Sequence, residues 1–74
     1  MIRDRTTAET VLKTALSVTH ALNSSIYEVM ASSSQEEVKR YKHAVGKVMA
    51  EVFLEIVDPI LEVHPDLTPP EMRR

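Results

Sequence analysis

The sequence predicts an all-α protein: a two-helix antiparallel hairpin with a proline-kinked, long second helix, which dimerises into a four-helix bundle. Three observations carry that expectation. Val, Ile and Leu recur at helical spacing and never in alternating runs bounded by turn residues. The chain holds a single glycine, and all four of its prolines follow residue 58, so nothing earlier breaks a helix. Two helix-start signals, one near each end of the first half, are separated by a cluster of serines.

Met1 to Arg5 reads as a polar lead-in with the mobility usual at a chain end. Thr6-Thr7-Ala8-Glu9 then offers a capping box, in which a hydroxyl takes an amide proton and the glutamate reaches back. Beyond it Ala8, Val11, Leu12, Ala15, Leu16, Val18, Leu22, Ile26, Val29 and Met30 fall on one stripe at 3.6-residue spacing. This predicts a first helix over about 7–30. Its opposite face, from Thr10 and Lys13 through His20, Ser24 and Ser25 to Glu28, is polar but short in side-chain length and low in charge.

Ala31-Ser32-Ser33-Ser34 breaks the pattern, because serine side chains compete for backbone hydrogen bonds and favour caps and turns. Ser34-Gln35-Glu36-Glu37 is a second capping box. So short a gap between two helices forces the chain back on itself. The second helix is expected over about 35–64, with Val38, Tyr41, Val45, Val48, Met49, Val52, Phe53, Ile56, Ile60 and Val63 facing the first.

A second row on that helix, Gly46, Ala50, Leu54, Val57 and Leu61, widens its apolar arc beyond what one antiparallel neighbour covers. We expect this row to be the partner interface, with the small pair Gly46 and Ala50 admitting a close helix approach. Charge divides along the same helix, with Lys39, Arg40, Lys42 and Lys47 in its first half and Glu51, Glu55, Asp58 and Glu62 in its second. Two copies crossing antiparallel near Ala50 would bring unlike charges together under a two-fold axis.

Asp58-Pro59 interrupts the second helix, since proline has no amide hydrogen and clashes with the carbonyl four residues back. Ile60 and Val63 keep phase with Ile56, which favours a kink near 58–59, although Asp58 as a cap with Pro59 at the first position of a new helix fits the same residues. Pro65 ends regular structure. In the proline-containing tail, 65–74, Leu67-Thr68-Pro69-Pro70-Glu71-Met72 carries a helix-start signature. It is either one turn docked on the bundle or the start of something longer. The whole of 1–74 reads as one domain.

Seventy-four residues bury only about 60% of the surface of the unfolded chain, and oligomerisation is one common remedy. The absence of cysteine removes disulfide staples and fits a reducing compartment. With a charged N-terminal stretch where an export signal needs an apolar core, this gives a cytoplasmic expectation. A net charge of −2, a basic cluster from Lys39 to Lys47 that spreads around the helix and no apolar run near the ~20 residues that cross a bilayer argue against nucleic acid and membrane as partners.

Chemistry is hard to find. Neither Glu-x-x-His nor His-Glu-x-x-His occurs, and His20, His43 and His64 are widely spaced. Glu51, Glu55, Asp58 and Glu62 form an acidic ridge on the strip expected to face solvent, where paired carboxylates are poorly placed for acid-base work. One glycine cannot build a phosphate loop, and no serine stands in a nucleophile elbow. Tyr41, Phe53, Met30 and Met49 read as packing residues, and Tyr27 as an edge residue. No catalytic, cofactor-binding or metal-binding residue is expected. The function expected is therefore non-enzymatic, that of a homodimeric regulatory or adaptor protein. An obligate small subunit or antitoxin-like partner of a larger protein is the alternative, and a metal- or small-molecule-binding bundle a weaker one.

Overall fold

In the computed structural model, which describes residues 1–72 (Glu71 by its backbone alone), the chain is an antiparallel pair of helices without a strand among the described residues. Helix α1 spans Arg5–Ser32 and α2 spans Gln35–Val52. A wide-turn π segment, Phe53–Val57, joins α2 without a break to α3, Asp58–Val63. Short 3₁₀ turns at Pro65–Leu67 and Pro70–Met72 follow.

The two-residue reversal works as the serines suggest. Ser33 and Ser34 are both extended, and the Ser34 hydroxyl accepts the Glu37 amide at 3.2 Å. The Glu37 carboxylate in turn accepts the Ser34 amide at 3.4 Å, closing the capping box. At the start of α1 the outcome differs. Asp4, not Thr6, is the capping position, and its carboxylate accepts the Thr7 hydroxyl at 2.6 Å. Asp4 offers an acceptor two residues before Thr6, so the helix begins earlier than the threonines alone imply.

The core sits at the end where the chain termini meet. Ala8, Leu12 and Ala15 of α1 pack against Val57 and Ile60, with Ile2, Val11, Leu16, Val52, Phe53, Ile56, Leu61 and Leu67 around them. Val45 and Thr19 extend the buried seam toward the loop. Thr19, 5% exposed, spends its hydroxyl on the Leu16 carbonyl at 2.8 Å, so its methyl group can face the seam without a stranded donor.

The π segment corrects the phase of the second helix. The Asp58 amide reaches back five residues to the Phe53 carbonyl, which gives room for a proline that has no amide and would crowd a regular turn. Asp58 itself keeps right-handed helical geometry, so the helix continues through Pro59. One extra residue in a turn rotates everything beyond it by about 100°. Val57, on the second row by uninterrupted 3.6 spacing, is thereby turned into the core at 0% exposure, and Val63 is turned out of it.

The lead-in, expected from its polarity to be mobile, makes contacts with the tail. The His64 Nε2 group meets the Ile2 carbonyl at 2.8 Å, and Arg5 donates through Nε and Nη2 to Asp66 Oδ2 at 2.9 and 2.6 Å. Ile2 and Leu67 close over the core from the two chain ends. The arginine hydrogen bond holds the Asp66 carboxyl below the usual aspartate range. In the tail, Thr68 folds back on the Pro65 carbonyl through its hydroxyl at 2.8 Å. The partner of Thr68 in the expected capping box, the Glu71 side chain, lies outside the described residues, as do Arg73 and Arg74.

Candidate interaction face

Two helices side by side have two open flanks, and one hydrogen bond fixes which residues share a flank. Ser25 Oγ and Tyr41 Oη meet at 2.6 Å between the helices, while the same hydroxyl group reaches the Leu22 carbonyl at 2.6 Å. Steps of four and three residues from Ser25 lead along α1 to Leu22, Val18, Ala15 and Val11 in one direction and to Val29 in the other. The same steps from Tyr41 give Val38, Val45, Val48 and Val52 on α2. Both rows are heptad seams and neither carries a charge, while Glu37 and Arg40 line the hollow beside Val29 and Tyr41 at the loop end of this flank. Ala15 and Val45 are buried at the bottom, and most of the remainder is half-buried. Val18 and Val48 stand out at 45% and 49% exposure.

Seven residues separate Val18 from Ser25 and Val48 from Tyr41. In an antiparallel pair these steps run the same way, so Val18 and Val48 lie side by side, about 10 Å from the hydroxyl pair. The hydroxyl groups nearby are already engaged. Thr10 and Thr14 bond to the carbonyls of Thr6 and Thr10, each at 3.1 Å, leaving their methyl groups to define the rim of α1. Water can be stripped from such a surface at low cost.

The other flank is chemically different. Its groove is lined by Asn23, Ile26, Tyr27, Met30 and Lys42, and Lys39 and Lys42 with Met30 and Val38 border a second hollow at the loop end. Tyr27 and Met30 are exposed there, but the cations and Asn23 interrupt the apolar row. No family model, curated protein or solved structure matches this chain.

Gly46, Ala50 and Leu54, the first three residues of the row read as a partner surface, are all exposed, Leu54 at 62%. Leu61 is half-buried against the core, and Val57 is fully buried in it. Val57 therefore offers nothing to a partner unless the hairpin opens, and the row is not continuous on the surface. A side chain at Gly46 would meet nothing within 4 Å, so the hairpin itself has no need of glycine there. The charge-free heptad seam was within reach of the sequence. It was obscured because Ser25 sits in it, and serine reads as a residue of the polar face until Tyr41 is seen to satisfy it.

His20 and His43 are exposed and His64 is held by Ile2. Among the described residues no three His, Asp or Glu side chains gather where they would hold a metal ion, and no helix is long and apolar enough to cross a membrane.

Proposed function

We propose that this protein works without catalysis, as a homodimeric helical hairpin of regulatory or adaptor type that associates through its charge-free heptad face into a four-helix bundle. The observation that carries the reading is that face itself. Two parallel apolar seams lie on one flank with Val18 and Val48 open at the centre, and such seams are the packing surface of four-helix bundles. A cysteine-free chain with a charged N-terminal stretch is consistent with a cytoplasmic setting. A partner of another kind, such as the larger protein of which this chain is a small subunit, would use the same flank in the helix-in-groove manner.

Absolute mass by light scattering or sedimentation across a hundredfold range of concentration tests the proposal. A mass near twice 8.4 kDa is expected at micromolar concentration. A cooperative, soluble monomer throughout would defeat it and leave the flank for a foreign helix.

A further inference from the structure

We infer that the second copy lies across the Val18–Val48 flank with its loop at the opposite end of the bundle, so that α2 packs on α2 of its twin about a two-fold axis passing by Val48. This rests on the homodimeric reading through that face and adds to it an axis and a direction.

The amount of surface points to a second copy as the occupant. The chain exposes 5643 Å², where a compact monomer of 8.4 kDa would expose about 4,600 Å². The excess is close to the roughly 800 Å² that each partner gives up in a standard interface. Shape agrees, since the radius of gyration is 14.7 Å against about 11 Å for a compact domain of this length. A slab whose extents are 45 × 24 × 17 Å is missing thickness, and one further hairpin laid on a flat flank supplies it.

Charge selects the direction. Face-to-face packing about a two-fold axis allows two arrangements, with loops together or loops apart. With loops together, α1 lies over α2 of the second copy, and Glu28 comes level with Glu37 and Arg40, which line the hollow beside Val29 and Tyr41. The like pair offsets the unlike one, so this arrangement gains no net charge complementarity. With loops apart, Arg40 and Lys47 on the rim of α2 face the Glu51 to Glu55 stretch of the second copy, twice over by symmetry. The rims of α1 that then meet carry Thr14, Ser17 and Ala21, small enough for close approach. Packing through the other flank would bury Lys39 and Lys42 against the same cations of the second copy, which excludes it.

The absence of native cysteine makes single labels unambiguous. Ala31 is exposed near the loop and points away from the proposed face. Ala31→Cys carrying a nitroxide should give an inter-protomer distance of about 40 Å by pulsed dipolar spectroscopy, from thirteen residues of rise on each side of the axis. In parallel, Val48→Cys should form a disulfide-linked dimer under mild oxidation, which needs Cα atoms within about 7 Å, and Leu54→Cys should not. A dimeric mass with a distance below about 25 Å overturns the direction. A dimeric mass with linkage through Leu54→Cys and none through Val48→Cys overturns the face. A monomeric mass removes the homodimer itself, so failure of this inference and failure of the function it rests on are told apart.

Discussion

Gly46 separates two accounts of the second helix more sharply than any other residue. It has ordinary helical geometry, with no positive φ, and open space where a Cβ would stand. Glycine inside a helix costs about 1 kcal/mol relative to alanine. Gly46→Ala should therefore raise stability by roughly 0.5–1 kcal/mol, which for a domain of this size is several degrees in Tm, and leave the mass in solution unchanged. Urea and thermal melts with light scattering read both quantities. If the substitution instead lowered stability and weakened association, the space beside Gly46 must be filled by another chain, and the interface would belong to the Gly46–Ala50–Leu54 row. The sequence raises the question because small residues four apart admit close packing, but only the folded hairpin shows that nothing beyond the helix's own backbone comes within 4 Å of a Cβ there.

At the scale of elements, the π segment and the terminal clasp shape the core. Phe53–Val57 absorbs one residue more than a regular helix would, so removing one residue there preserves the downstream phase while abolishing the room given to Pro59. Deletion of the exposed Leu54 alone should cost about 3 kcal/mol or more, the usual penalty for proline inside a regular helix. Deletion combined with Pro59→Ala should recover most of that loss, because Val57 and Ile60 still face α1. Chemical denaturation of the two variants checks the coupling, and an equal loss in both would mean that proline is not what the wide turn accommodates. The clasp makes a different prediction. Because Arg5 holds Asp66 below the usual aspartate range, the pair contributes above that range, and its contribution disappears as pH falls through and below it. The stability gap between the native chain and Asp66→Asn should accordingly be present at pH 7, close on acidification, and narrow at high salt. Asp4, also lowered, by the Thr7 hydroxyl, keeps some acid sensitivity in the variant. Much of the fold was legible beforehand for local reasons: the Ser34–Glu37 box, the serine reversal and the two apolar stripes are all short-range patterns. The phase shift was hidden because Ile60 suits either register, and because periodicity cannot announce a wide turn. The clasp was hidden because Ile2 and His64 are far apart in sequence and nothing local links them.

For the molecule as a whole, the arrangement of its core bears on what holds it folded. The wholly buried side chains Val57 and Ile60 lie at the terminal end, while the loop half is held by Val45, the Ser25–Tyr41 pair and a seam that is half open. A lone hairpin so built has little apolar burial to set against the conformational entropy of ordering it. If a second copy covers the open seam, folding and association become one equilibrium, and stability depends on protomer concentration. Each tenfold rise in concentration then contributes about 1.4 kcal/mol, which at the sensitivity of a bundle of some 150 residues is roughly 3–5 °C in Tm. Circular dichroism melts from low to high micromolar protein should show this rise for the native chain. Val48→Asp, which places a charge at the centre of the seam, should lower Tm and flatten its dependence on concentration. Leu54→Asp, at a more exposed position in the wide-turn segment and outside the seam, should leave the slope intact. A native Tm independent of concentration would mean that the hairpin is stable alone and that its open seam is not needed for folding.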